Sequence, residues 1–480
     1  MSSIAALKWL ERSERESIAR LIDWLRIPSI STDPIYRGDV RRAGQWALDQ
    51  LRELGFTAEL RETGAIGADG LGVGHPIVLA TIAPSPKYTG PHVLFYGHYD
   101  VQPIDPVELW ESPPFEPTLK PAIPGGPGER IVARGAVDDK GQVLCFLEAC
   151  RAWKETSGHP TAGAAYTVLL EGEEESGSVN LGAFVRAEHD RLAACDVCLI
   201  SDTGMLGRDR PAITYGVRGL AYTEITLHAA DQDLHSGLWG GRCPNPISEL
   251  TKVLAGLWDA KRRVAIPGFY DDVRPLGNDE REAWRRLNVD PAQALAKIGL
   301  PPEADVGEEG YTSVEREWAR PTAEINGIWG GYTGAGAKTV IAAKASAKVS
   351  FRLVADQDPA KVTRMFFDWL RERTPTGCRW ELNDHHGGFG VTVPTDSPAL
   401  RAAARALEAA AGVRPELIKS GGSIPVAGML KDELGLDTIF MGFGLEDDRV
   451  HSPNEKFELA CFRMGARAHA VLMEELGKGE

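Results

Sequence analysis

The chain has 480 residues, room for two or three domains at about 150 residues each, and its 43% hydrophobic and 25% charged content is that of an ordinary globular protein. Disordered, collagenous and fibrous chains are thereby excluded. A formal net charge of -15 and a sequence pI near 5.3 leave no basic excess for phosphate binding, so neither nucleic acid nor an anionic membrane is an expected partner.

The opening segment carries charges throughout, without the apolar centre of a secretory leader. No stretch approaches the ~18 uninterrupted apolar residues of a membrane helix, and the seven cysteines are scattered. A reduced, cytoplasmic setting is expected. Ile18, Leu21, Ile22 and Leu25 recur at helical spacing until Pro28 ends the pattern. A second helix carries Ala43, Trp46, Ala47, Leu51 and Leu54 and stops at Gly55. The runs HPIVLATIA, PHVLFYGHYD, AAYTVLLEGEEE and CDVCLISD then alternate with helical patterns such as QVLCFLEACRAWK, which predicts an α/β domain whose strands are buried on both faces. Cys195 and Cys198 form a lone CxxC within AACDVCLIS and read as strand cysteines without a redox role. The Pro- and Gly-rich stretch 121–128 reads as a surface loop.

Near residue 217 the rhythm changes. Thr223, Ile225, Leu227 and Ala229 alternate with Glu224, Thr226 and His228, and Ala347, Val349, Phe351 and Leu353 alternate with polar residues, the mark of strands covered on one face. A helix over 359–372 carries Val362, Met365, Phe366 and Trp369 on one side, and RWELND supplies a further strand. These elements predict a small α+β sandwich inserted into the larger domain. From 399 onward the first rhythm returns in LRAAARALEAAAG and DTIFMGFG. The boundaries drawn are 1–216 and 387–480 for the first domain and 217–386 for the insertion.

Chemistry concentrates where apolar runs end. His98 and Asp100 close VLFYGHYD, Asp138 and Asp139 lie in RGAVDDKG, Glu173, Glu174 and Glu175 close TVLLEGEEES, Asp202 closes VCLISD, and His451 follows FMGFGLEDDRVHS. In open α/β sheets the carboxyl ends of strands form the ligand-binding edge, so these groups can converge. Carboxylates held that close repel and raise one another's pKa, whereas divalent cations would bind them. Two imidazoles with several carboxylates suit zinc, manganese or cobalt better than calcium or magnesium, and the number of ligands suggests two ions. GYTGAGAKT is not read as a phosphate loop, because an extra alanine separates Gly336 from Lys338 and a one-sided strand follows.

GHYDVQP, RGAVDDKG, EGEEESGS, ISD and HSPNEKF, in this order, resemble the co-catalytic metallopeptidase family of carboxypeptidase G, aminoacylase-1, succinyl-diaminopimelate desuccinylase and carnosinase. DQDLHSGLWGG, GYTGAGAKTVI, SFRLV and SGGSIPV resemble the carnosinase and cytosolic non-specific dipeptidase branch. The resemblance implies a catalytic domain with a mixed sheet between helices, plus an inserted ferredoxin-like lid and dimerisation domain. It also implies two divalent ions per subunit, zinc or manganese, with cobalt a further fit. His98 and Asp202 would hold one ion, Glu175 and His451 the other, with Asp138 bridging and Asp100 orienting His98 from behind. Glu174 would be the base acting on a metal-bridging water, although Glu173 competes for that register. The peptide between Asp138 and Asp139 would be cis. His235 would reach a neighbouring subunit's site and polarise the scissile carbonyl, Arg352 would pair with a substrate carboxylate, and Thr339, His386 and Ser423 would bind substrate. The implied activity is hydrolysis of dipeptides with a free C-terminal carboxylate by a homodimer. N-acyl-amino-acid deacylation by the same metals is the alternative, and a metal-binding protein without catalysis is the rival from another class.

Overall fold

A computed structural model of the chain describes residues 2–67, 70–122 and 128–478, with the side chain of His386 also outside the described set. Most of the stretch read as a Pro- and Gly-rich loop lies outside the described residues. The chain divides into two compact units, one of Met1–Tyr215, Val393–Ile418 and Leu430–Glu480, the other of Gly216–Thr392 with Lys419–Met429.

In the first unit the strands lie in the order Thr57–Arg61, Ile77–Ile82, Tyr166–Glu171, Val93–His98, Val197–Ile200, Asp437–Phe440 and Ala212–Val217. The central four run parallel and the flanking pairs antiparallel. Val93–His98 and Tyr166–Glu171 are buried along their full length, which is why they read as unbroken apolar runs rather than alternating ones. Helices Lys140–Ser157 and Leu459–Leu476 bury most of their residues. Between sheet and helices sit Phe95 and Phe146, stacked with ring centroids 3.9 Å apart, and His469 is edge-on to both. Near the N-terminus the buried face differs from the expected one. Helix Glu14–Leu25 buries Ser17, Leu21, Trp24 and Leu25 rather than Ile18 and Ile22, because Ser17 and Arg20 turn inward to bind the buried Glu148. Gly55 ends the next helix, Arg37–Leu54, at φ 100°, a left-handed conformation that glycine adopts without penalty.

In the second unit the strands Gly219–His228, Thr322–Gly330, Lys344–Leu353 and Arg379–Gly388 form an antiparallel sheet. In chain order its strands lie second, third, first, fourth, with helices Pro246–Ala255 and Pro359–Glu372 in the two crossovers. This is the ferredoxin-like arrangement. Ile225, Leu227, Val349 and Phe351 meet Leu250, Phe366 and Trp369 in one apolar core, each such fully buried side chain contributing about 1.5–3 kcal/mol. The segment 255–320, which carries no recognisable motif, is organised around Arg320. Its guanidinium binds Glu308 through two nitrogens at 2.7 and 2.8 Å and stacks against Tyr270 and Tyr311.

The excursion Lys419–Met429 belongs with the second unit, although its place in the chain puts it after the return at 387. The reason is local hydrogen bonding. The Arg218 backbone N–H donates to Gly422 O at 3.0 Å, Arg218 Nε donates to Gly421 O at 2.9 Å, and Ser423 Oγ donates to Gly219 O at 3.2 Å. No helix among the described residues is long and apolar enough to cross a membrane.

Candidate metal centre

The site in the first unit is built from the carboxyl ends of adjacent parallel strands, the edge where such sheets bind ligands. His98 ends its strand directly opposite Glu171. Beyond Glu171 the chain turns through Glu173–Glu175, and beyond Ile200 it reaches Asp202. Asp138 and Asp139 immediately precede helix Lys140–Ser157, and the peptide between them is cis. A Cβ at Gly97 would stand 2.5 Å from Val143 and 2.9 Å from Asp139 Oδ2, so glycine is what lets this helix start approach the strand end. There the His98 backbone N–H donates to Asp139 Oδ2 at 3.3 Å.

His98 Nε2 lies 3.0 Å from Asp138 Oδ1 and 3.9 Å from Asp202 Oδ2. His451 Nε2 lies 3.0 Å from Asp138 Oδ2 and 3.1 Å from Glu175 Oε2. Asp138 therefore presents one oxygen to each imidazole. The donors fall into two groups, His98 with Asp138 and Asp202, and His451 with Asp138 and Glu175, the atoms of each lying within 4.8 Å of one another. Behind them Asp100 sets both halves. His98 Nδ1 is 3.3 Å from Asp100 Oδ1 and 3.2 Å from its carbonyl oxygen, while Asp100 Oδ2 accepts from the Glu175 backbone N–H at 3.0 Å.

The three consecutive glutamates have different surroundings. Glu173 is buried and fully engaged, Oε1 accepting from His75 N at 2.8 Å and both oxygens accepting from Asn180. Glu175 accepts from Gln102 Nε2 at 2.7 Å in addition to its contact with His451. Glu174 is shaped by burial and by the charges of His98, Asp202, Glu175 and Asp138, with no hydrogen bond to its carboxylate among the described residues. Burial, reinforced by the neighbouring acids, pushes its pKa well up.

The electrostatics call for positive charge. Burial and the adjacent Asp138 push Asp202 up to about 7. Hydrogen bonds to Asp138 and Glu175 push His451 up to about 10. Burial, the largest influence on His98, favours its neutral form, yet hydrogen bonds to Asp100 and Asp138 hold its pKa well above the ordinary value. Imidazoles packed against this many carboxylates must either carry protons or share them with cations. Mixed imidazole and carboxylate donors, three to each group around one shared carboxylate, fit a pair of divalent cations.

In the second unit His235 and Thr339 are brought together. His235 pairs with Val340 in a short ladder, Ser236 N donates to Thr339 O at 3.1 Å, and the exposed His235 ring accepts from Gly237 N at 3.0 Å. Arg352 Nη1 donates to Ser423 Oγ at 2.7 Å. Among the described residues neither Arg352 nor Arg218 forms a carboxylate ion pair, and burial lowers the pKa of both. The side chain of His386 lies outside the described residues. Sequence reading missed Gln102, which sits in the quoted GHYDVQP motif, and Arg218, whose position just before the first one-sided strand was the available signal.

The profile of Peptidase family M20/M25/M40 matches residues 94–475, spanning every residue of the two donor groups. The chain belongs to peptidase family M20/M25/M40. Members of this family use a dinuclear divalent metal site, as the two donor groups anticipate. Among M20 relatives, the chain is 32% identical to the Cys-Gly metallodipeptidase DUG1 of Candida albicans, over 98% of this chain and 96% of that one. It is also similar to the solved M20 metallo-carboxypeptidase Sso-CP2 of Sulfolobus solfataricus, at 31% identity and TM-score 0.83, covering 96% and 99% of the two chains. Human carnosine dipeptidase 1 matches with 28% identity and TM-score 0.80 over 98% of each chain. These M20 similarities run through both units, the inserted sandwich included.

Proposed function

We propose that the protein is a dinuclear metallodipeptidase that hydrolyses dipeptides with a free C-terminal carboxylate. The observation that carries this reading is the pair of donor groups sharing Asp138, with an unengaged Glu174 beside them. Relatives named as Cys-Gly and carnosine dipeptidases support the substrate class. His98 and Asp202 would hold one cation and Glu175 and His451 the other, with Asp138 a ligand common to both donor groups. Zinc or manganese suits these donors best. When bound, the cations polarise a carbonyl and lower the pKa of water.

Glu174 takes a proton from the attacking water and delivers it to the leaving amine nitrogen, so the C–N bond breaks without release of a free amide anion. Glu173 has its oxygens committed to His75 and Asn180, which supports Glu174 over Glu173 as the base. Asp100 keeps the His98 ring in its ligating orientation. Arg352 reads the substrate carboxylate, aided by Ser423, with Thr339 and His386 binding the substrate backbone. His235 stabilises the oxyanion. The seven cysteines are all free thiols, which supports a reducing, cytoplasmic location. The edge strand Thr322–Gly330 leaves Ile325, Ile328 and Trp329 exposed, which supports a homodimer through the inserted domain.

The substrate reading is tested with the metal-loaded protein on dipeptides, their C-terminal amides and N-acetyl amino acids. Cleavage confined to free-carboxylate dipeptides is expected, and Arg352→Ala should raise KM for them with a smaller effect on kcat. Preference for the acetylated amino acids would move the function to deacylation, and indifference to amidation would remove the Arg352 role. A second test concerns His235. His235→Ala and Glu174→Ala should each be inactive alone and regain activity when mixed, because mixed dimers then contain one intact set of residues. No recovery, with subunit exchange verified by mass-tagged chains, would remove the action of His235 in the neighbouring subunit.

A further inference from the structure

Glu455 lies four residues after His451 and is fully buried, although it belongs to neither donor group. Its carboxylate accepts four hydrogen bonds. Oε2 takes Arg134 Nη1 at 2.8 Å and Gly135 N at 2.9 Å, and Oε1 takes Val137 N at 3.0 Å and Asp138 N at 3.1 Å. The Glu455 carbonyl oxygen also accepts from Ala133 N at 3.1 Å. One side chain thus gathers the backbone of the segment that ends in Asp138.

The same residue anchors the loop bearing His451. That loop turns through three non-glycine residues at positive φ, Arg449 at 57°, His451 at 60° and Asn454 at 65°, a conformation uncommon for such residues. His451 itself is half exposed, with 53% of its side chain accessible, so packing does little to hold its ring. Two ties fix the loop beyond it. Asn454 bonds to Leu109 O and to the Glu111 N–H, and Glu455 bonds to the Asp138 segment. Asp138 and His451 sit 3.0 Å apart and share a donor group, and Glu455 is the covalent neighbourhood of one and the hydrogen-bond acceptor for the other.

We infer that Glu455 is a positioning residue that locks Asp138 and His451 into one metal-binding geometry. The inference rests on Asp138 being the carboxylate shared by both cations. The chemistry requires an acid at this position. A carboxylate offers acceptor sites on both oxygens, whereas glutamine of the same shape would turn an NH2 group toward two of the four donors. A displaced Asp138 backbone carries both of its oxygens with it, so loss of the clamp disturbs the contacts to His98 and His451 together. The competing explanation is that Glu455 serves only to neutralise the buried Arg134.

Titration of the apo-protein with zinc against a chromophoric chelator separates these explanations without recourse to activity. Glu455→Gln should bind zinc about 10- to 100-fold more weakly than wild type, the loss typical of removing a hydrogen-bonding partner behind a metal ligand. Glu455→Asp keeps the charge that Arg134 needs but is one methylene too short to span all four donors. It should show the same direction of loss even where Glu455→Gln does not fold. Arg134→Gln deletes the ion pair and leaves the backbone clamp, so it should lose thermal stability while retaining the wild-type zinc affinity. Wild-type affinity in Glu455→Asp, or an equal loss in Arg134→Gln, would overturn the inference. Asp138→Asn serves as the control for the underlying reading. Unchanged zinc binding in that variant would remove the metal site itself, whereas loss there with none in the Glu455 variants would remove only the role of Glu455.

Discussion

Glu174→Gln is expected to fold, to retain both cations and to lose about 10²- to 10⁴-fold in kcat, the contribution of a well-placed acid-base group. The substitution preserves size and removes only the capacity to take a proton. Retention of metal follows from geometry, because Glu174 belongs to neither donor group. The size of the loss follows from the absence of a substitute. Glu173 has both oxygens committed to His75 and Asn180, Glu175 and Asp138 are engaged with His451, and Asp202 faces His98. Glu173→Gln should behave differently, loosening the turn between 173 and 180 and lowering stability more than turnover. Amine release under saturating dipeptide, with metal content measured by plasma mass spectrometry on the same samples, checks both variants. Near-normal turnover in Glu174→Gln would end this assignment of the base.

The second large effect is on metal content rather than on chemistry. Asp138→Asn should leave the desalted protein without either cation, whereas Asp202→Asn should lose one and retain the other. The asymmetry comes from the two donor groups, since Asp138 is in both and Asp202 in one. Asparagine keeps one oxygen but replaces the other with an NH2 group that has no lone pair to offer. The affinity loss in Asp138→Asn should exceed the about 10- to 100-fold expected for an outer hydrogen-bonding partner, and turnover should fall with it. Two equivalents of metal surviving in Asp138→Asn would contradict the shared-ligand geometry.

Much of this architecture was legible in the sequence because burial leaves periodic traces. Strands covered on both faces read as unbroken apolar runs, the one-sided strands around Ile225 and Val349 as alternation, and His98, Asp138, Glu175 and Asp202 stood out because runs ended at or just before them. What periodicity cannot carry is the pairing of polar atoms distant in the chain. Glu173 and Glu174 are adjacent and chemically identical, and only the hydrogen bonds to His75 and Asn180 distinguish them. The Lys419–Met429 excursion is decided by three hydrogen bonds to residues 218 and 219, about two hundred positions earlier. The inward turn of Ser17 follows from a buried acid at Glu148, which no helical pattern near the N-terminus reveals. The segment around Arg320 reads as featureless because its order comes from one guanidinium held between Glu308 and two tyrosines, a cluster with no period at all.

One titration of function against metal tests the dinuclear metallodipeptidase most directly. Apo-protein receiving zinc or manganese in fractional equivalents should release amine from a free-carboxylate dipeptide at a rate that climbs to a plateau at two equivalents per chain, and chelation should abolish it. Activity that survives exhaustive chelation, or a protein that stays silent with two equivalents bound, would contradict a dinuclear metallodipeptidase.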